Sequence, residues 1–278
     1  MTSVVITGKR YISHPDEADK HAPFAKTYLA EGDSWMDASA AVLGSLPYFL
    51  TQEFNKRGKT NLIINISTAG QSLQRIEKTM QGDYVWWLKQ LPYDGILFSA
   101  AGNDFIDAAR DSDAGKGLLR NMAGEPLSAD GYECVRKKAL EDLTKYLNIN
   151  FESMYKVLRA STKNSAAPMY LNCYDTPTAR NAPAIPGLVG PWLYKAYVKN
   201  GIDPLLWPSL TQGLFKDIKA VVEGWSSGRT GVKEVPTTNS LTVAAPNTKG
   251  SEADWKNEIH PNSKGWRKQA AIWADLLE

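Results

Sequence analysis

Apolar residues in this chain fall into two alternating kinds of run. Short continuous ones, Tyr28-Leu29-Ala30, Asn61 to Ile66, Ile96 to Ala100 and Met169 to Cys173, end in small or polar residues. Such runs suit strands buried on both faces, as in a parallel sheet. Between them apolar positions recur every three or four residues, the spacing of one helix face. Ala38, Val42, Leu46, Phe49, Leu50 and Phe54 make one stripe, starting near Asp37, and Pro47 inside it predicts a stop or kink near Leu46. Leu140, Leu143, Leu147, Phe151, Met154 and Leu158 make another. Residues 211–223 continue the pattern up to Gly224, which reads as a helix C-cap. Ser240 to Ala245 reads as a last strand, and Trp266, Ala270, Trp273 and Leu277 as a closing helix.

This alternation, with no compositional break, predicts a single α/β domain over residues 1–278. The expected form is a three-layer α/β/α sandwich around a mainly parallel sheet of about five strands. Residues 1–26 are polar and irregular and read as a surface arm. Loop insertions are expected near 106–130 and 176–210, and long irregular spans of that kind commonly serve as lids or binding loops.

Composition narrows the picture. With 43% hydrophobic residues over 278 positions the chain can bury a sizeable core. A net charge of +2 without a dense basic run gives nucleic-acid binding no support. No stretch approaches the roughly 20 apolar residues of a membrane helix. Val4 to Ile6 is too short for a signal-peptide core, so a soluble cytoplasmic protein is expected, with oligomeric state left open. Cys134 and Cys173 lie far apart and read as core thiols. Asn65-Ile66-Ser67 fits a glycosylation acceptor only by chance, inside an apolar run. His14 and His21 bracket Asp16, Glu17 and Asp19 without a ligand spacing, so no metal is expected there.

Three predicted strands end in turns of small or amide-bearing residues: Gly32-Asp33-Ser34, Ala69-Gly70 and Gly102-Asn103-Asp104. In a parallel α/β sheet the carboxyl ends of the strands share one edge, where these residues would converge. A serine hydroxyl needs a base to act as a nucleophile at neutral pH. His260 lies between the last predicted strand and the last helix, at that same edge. Each feature alone has a blander reading: a helix cap for Ser34, a loop histidine before proline for His260.

Together the four stretches, in this order, resemble the SGNH (GDSL-like) hydrolase family. Gly32-Asp33-Ser34 is similar to the block carrying the nucleophile, and Gly70 to the second-block glycine whose N–H serves the oxyanion hole. Ala101-Gly102-Asn103-Asp104 resembles the block whose asparagine amide is a further donor, and Asn257-Glu258-Ile259-His260 the Asp-x-x-His block. The resemblance spans residues 32–260. It implies a flavodoxin-like fold and an esterase or lipase without cofactor or metal. Ser34 would be the nucleophile and His260 the base, with an oxyanion hole of Ser34, Gly70 and Asn103.

Two positions depart from the pattern. Ala101 replaces a glycine, read here as a mild change. Asn257 stands where the family has its catalytic aspartate, and an amide cannot stabilise an imidazolium by charge. Asp254, six residues before His260, and Asn257 are equally placed to orient the ring; Glu258 is expected to point away, and a Ser34–His260 dyad stays open. Gly224-Trp225-Ser226-Ser227-Gly228 also matches the nucleophile elbow Gly-x-Ser-x-Gly, but a helical pattern precedes it where a strand is needed.

Trp35 either walls the pocket or packs on the sheet, and Trp192, Leu193, Leu205, Leu206 and Trp207 are candidates to cover an acyl chain or, equally, to pack a crossover. The expected partner is a small-molecule ester. Acylated carbohydrates or phospholipids are alternative substrates, and a non-catalytic ligand-binding or scaffold protein of the same fold is the alternative function.

Overall fold

The computed structural model describes residues 2–37, 44–111, 113 and 117–278. Six strands form one sheet: β1 (Val4–Thr7), β2 (Lys26–Gly32), β3 (Asn61–Asn65), β4 (Gly95–Ser99), β5 (Met169–Asn172) and β6 (Val232–Val235). Their order is β1-β3-β2-β4-β5-β6, and every pair is parallel. The helices are α1 (Gly8–Ser13), α2 (Asp16–Asp19), α3 (Leu46–Lys56), α4 (Leu73–Arg75), α5 (Gln81–Gln90), α6 (Gly102–Arg110), α7 (Lys137–Arg159), α8 (Leu193–Lys199), α9 (Trp207–Ser226) and α10 (Ser263–Leu277). A π-helical segment, Ile76–Met80, joins α4 to α5.

Side-chain alternation along the strands sorts the helices into layers. Tyr28 of β2 stacks on Phe54 of α3 and donates its hydroxyl to the Leu277 carbonyl of α10 (3.1 Å), so α3 and α10 share one face. Glu31, three residues on, faces the opposite side in register with Phe98 of β4. Phe98 meets Phe151 of α7, which stacks on Trp225 of α9. The sandwich is therefore three-layered, and its middle strands β2, β3 and β4 are buried along nearly their whole length.

Four expectations are corrected. Val4–Thr7, within the expected arm, is a sixth strand: it pairs on one side only, with β3, so its short run gave little signal. Val232–Val235, not Ser240 to Ala245, is the last strand, an edge strand whose Lys233 and Glu234 break the apolar run. Around 239–241 the backbone N–H groups of Asn239 and Leu241 bond the Asp175 carboxylate (2.9 and 2.7 Å) instead of a neighbouring strand. Pro47, expected to stop or kink a helix near Leu46, sits in the first turn of one, α3, where a proline needs no N–H. Ala38 and Val42 of that stripe lie outside the described residues. Gly224 is not a cap, since α9 runs through it to Ser226.

The two expected insertions are partly regular. Residues 106–110 complete α6, and Leu118, Leu119 and Met122 beyond them are buried. The 176–210 span contains α8 and the start of α9.

Candidate active site

The polypeptide leaves β2 under tight backbone control. Gly32 has φ +141°, and a Cβ there would collide with the backbone carbonyl of Ser99 on β4. The next N–H, of Asp33, donates to that same carbonyl (3.0 Å). Asp33 is buried, and its Oδ1 accepts from Trp35 N–H and Ser99 Oγ, 3.0 Å each. The Tyr174 hydroxyl donates to its other oxygen. Burial pushes the Asp33 carboxyl up to about 6, while the Tyr174, Trp35 and Ser99 bonds pull the other way. The Asp33 carbonyl then accepts from Met36 and Asp37 N–H, a single helical turn that leaves Ser34 at its start. The Ser34 N–H donates to no acceptor among the described residues.

His260 reaches this turn from the other side of the sheet edge. Its Nε2 lies 2.8 Å from Ser34 Oγ, and its Nδ1 lies 3.1 Å from Asn257 Oδ1. Asn257 Oδ1 also accepts from the N–H groups of Ile259 (3.1 Å) and His260 (2.9 Å), a turn closed by its own side chain. Only a carbonyl oxygen can meet two N–H donors, so the amide orientation is fixed. The tautomer follows: Nδ1 carries the proton toward Asn257, and Nε2 is left to accept the Ser34 hydroxyl proton. The ring is buried, which pulls His260 down from its usual 6.5 to about 4. Asn257 Nδ2 is buried without a hydrogen-bond partner among the described residues.

Asp254 and Asn257 do not compete for the ring. The Asp254 carboxylate is held 2.5 Å from Lys268 Nζ and 3.4 Å from Lys264 Nζ, and it accepts from Thr242 N–H (2.6 Å). It ties the loop to α10, and the expectation of Asp254 as an orienter of His260 is corrected. Glu258 does point away from the ring, as expected. Its buried carboxylate accepts from the N–H groups of Arg180 (3.2 Å), Trp192, Leu193 (3.0 Å) and Tyr194 (2.7 Å). Burial lifts Glu258 to about 7, against the pull of these four donors. The clamp brings the Trp192 ring edge-on to His260, with centroids 5.5 Å apart.

Ser34 and Asn103 line one recess of about 20 Å³, together with Trp35, Tyr174, Phe215 and Ile259. Asn103 Nδ2 donates to the Gln71 carbonyl (2.9 Å), leaving its second amide hydrogen available. Gly70 sits exposed at the turn after β3 with φ +74°, its N–H without an acceptor among the described residues, and it is not part of the recess wall. Trp35 walls the recess, one of its two expected roles, and packs edge-on against Tyr174, just past β5, and Trp266 of α10. Ala101 has φ +87°, in the left-handed region, so the alanine there is not a mild change. Leu193 and Leu206 are buried in the core, whereas Leu205 and Trp207 line a separate apolar cleft of about 560 Å³. Ser226 ends a helix far in fold terms from any strand-to-helix elbow. Among the described residues no cluster of histidine, cysteine and acidic side chains could hold a metal.

Sequence reasoning missed Ser99, Tyr174 and Phe215, and it named Trp192 only as a cover for an acyl chain, not as a neighbour of His260. None carries a motif; each reaches the site from another element. Buried aspartate in Gly32-Asp33-Ser34 was the one available hint, because a buried carboxylate requires hydrogen-bond donors from elsewhere.

No protein-family model and no curated protein sequence matches the chain. Solved structures do. An extracellular lipase from Streptomyces rimosus superposes with a TM-score of 0.53 at 12% identity, covering 90% of this chain and 99% of that one. An acetylxylan esterase from Geobacillus stearothermophilus gives 0.51 at 11% identity, covering 92% and 96%. A protein described as a GDSL-like lipase, from Parabacteroides merdae, gives 0.50 at 12%, covering 92% and 97%. The chain has the fold of the SGNH (GDSL-like) hydrolases.

Proposed function

We propose that the protein is a serine ester hydrolase acting on short-chain carboxylic esters. The observation that carries this reading is the continuous chain Ser34 Oγ–His260 Nε2 (2.8 Å) and His260 Nδ1–Asn257 Oδ1 (3.1 Å) beside a small apolar recess. Ser34 Oγ attacks the ester carbonyl as its proton passes to Nε2. The resulting oxyanion takes hydrogen bonds from the Ser34 and Gly70 N–H groups and the Asn103 amide, each worth roughly 10²–10³ in rate. Nε2–H then protonates the departing alcohol, leaving an acyl-serine. Water, deprotonated by the same nitrogen, releases the acid and restores Ser34.

The third member is neutral. Asn257 holds the ring in the base-competent tautomer but adds no charge to the imidazolium, so the pair works as a polarised dyad with a fixed ring. The recess has room for little more than the methyl of an acetyl group, which favours short acyl chains. Esterase and lipase activities among proteins of this fold, an acetylxylan esterase included, agree with that choice.

Ser34→Ala should abolish hydrolysis of p-nitrophenyl acetate while leaving the thermal unfolding transition in place. A fluorophosphonate probe should label the unmodified protein at Ser34 and not label the variant. Residual turnover in the variant at the original rate would remove Ser34 from the mechanism.

A further inference from the structure

A second concavity flanks the serine turn on the side away from the acyl recess. It encloses about 560 Å³ at the carboxyl ends of β1 and β3, and Thr7, Lys9, Asn65 and Thr68 are among the residues that line it. Asp83 and Trp86 of α5 close it. It shares structure with the catalytic edge: Asp37, three residues past Ser34, lines it and accepts from the N–H of Ala69, next to Gly70 (2.7 Å). Adjacent strands lie about 4.8 Å apart, so the ends of β3 and β1 are roughly 5–10 Å from the end of β2 that carries Ser34.

The lining is unusual for a surface hollow. Trp86 is 43% exposed, yet its ring is held edge-on against buried Trp87 (centroids 4.9 Å), which in turn packs against Tyr11. This is a rigid indole with a free surface. Around it the side chains of Lys9, Thr68 and Asp83 bond nothing among the described residues, offering an ammonium, a hydroxyl and a carboxylate. A flat apolar platform ringed by donors and acceptors matches a pyranose ring, which has an apolar face and a polar rim. It suits a hydrocarbon chain poorly, since such a chain would leave those three polar groups desolvated without partners. The apolar cleft of Leu205, Trp207 and Val243 lies on the opposite flank and offers no such ring of charges.

We propose that this groove binds the carbohydrate half of the ester, so that the substrates are O-acetylated saccharides, with the acetyl group in the Ser34 recess and neighbouring sugar rings on Trp86. The assignment rests on the ester-hydrolase reading for its chemistry but not for its binding. The groove lies outside the catalytic machinery, so its variants separate the two.

Kinetics on partially O-acetylated xylo- and cello-oligosaccharides should show KM rising about tenfold, or 1.4 kcal/mol, in Trp86→Ala. kcat/KM for p-nitrophenyl acetate should stay within about twofold of the parent, since no sugar is engaged. Unacetylated oligosaccharides should bind Ser34→Ala by titration calorimetry, and binding should be lost when Trp86→Ala is added. Trp86→Phe, which keeps an aromatic face, should restore part of the affinity. Oligosaccharide kinetics and binding that are indifferent to Trp86, with p-nitrophenyl acetate still hydrolysed, overturn the saccharide site and leave the esterase reading standing. Binding that depends on Trp86 without any ester hydrolysis overturns the esterase reading instead. Preference for long-chain p-nitrophenyl esters or phosphatidylcholine vesicles over acetylated sugars also overturns the proposal.

Discussion

The serine and the histidine of this site are held by different means. Ser34 stands on a turn fixed by backbone: the Gly32–Ser99 approach, the Asp33 N–H to Ser99 carbonyl bond and one helical turn. His260 stands on a loop fixed by buried side chains: Asp254 with Lys268 and Lys264, Glu258 with four N–H groups, Arg180 donating to the Asn257 carbonyl (2.8 Å). A strand end is positioned by the sheet it belongs to. A loop held only by isolated bridges, Glu252–Trp255 and Trp255–Pro261, leaves N–H groups nearby that carboxylates gather in place of a neighbouring strand. Ser34 is therefore set chiefly by main-chain geometry, with the Asp33 carboxylate bracing its turn, and His260 chiefly by carboxylates that gather main-chain N–H groups.

The largest test of that contrast is Glu258→Gln. A glutamine cannot accept all four N–H donors, so Trp192 and the His260 loop should shift. Removing one partner from a buried charged cluster typically costs several kcal/mol, and a drop of roughly 10–100-fold in kcat for p-nitrophenyl acetate is expected, with little change in KM. A variant with parental kcat would show that the loop does not depend on this carboxylate.

Asn257→Asp should have the next largest effect, in the opposite direction. His260 is held down at about 4 by burial, so it is neutral and able to act as base above that pH. The acid limb of kcat/KM should fall near pH 4. A carboxylate at 257 favours the imidazolium, moving the limb up by about 1–2 units and raising the rate at pH 8 by about tenfold. It also removes the unpartnered Nδ2 donor. Stability carries its own signature. A histidine whose folded pKa is depressed contributes stability above its unfolded value of 6.5, which is lost as pH falls toward 4, and the aspartate should weaken that acid sensitivity. pH–rate profiles of the two proteins decide it; superimposable curves would detach residue 257 from the ring.

The smallest expected effect lies on the serine side. Ala101 holds a left-handed conformation where glycine is unstrained, at a cost of about 1–2 kcal/mol. Glycine's greater unfolded-state entropy offsets part of that, so Ala101→Gly should stabilise by about 0.5–1 kcal/mol in chemical denaturation, with activity unchanged. Equal or lower stability would mean that the Ala101 methyl packs well enough to offset its backbone.

This contrast also explains what could be read from the chain itself. The central strands β2, β3 and β4 were legible because both faces are buried and each carries a continuous apolar run, Tyr28-Leu29-Ala30, Leu62-Ile63-Ile64 and Ile96-Leu97-Phe98. β1 and β6 were not, because an edge strand with one partner can carry polar residues such as Lys233 and Glu234. Ser34, Asn103 and His260 were singled out by their place at the carboxyl edge and by the ordered blocks they resemble; Ser34 and His260 meet at 2.8 Å, and Asn103 lines the same recess as Ser34. Asn257 against Asp254 was undecided, because the choice depends on Lys264 and Lys268 reaching back from α10. Glu258 was correctly turned away from the ring. Its role stayed hidden because its four donors come from 64 to 78 residues earlier in the chain.

Gly32 bears on how such a chain can change over time. With its Cα pressed against the Ser99 carbonyl, no side chain fits at that point without prying β2 from β4. Drift is thereby channelled. Residue 257 beside His260 can be exchanged with an effect on pH range or rate, while the turn that seats Ser34 tolerates essentially one residue at position 32. Lineages descending from this protein would diverge first in their histidine loops and last in the glycine before Asp33.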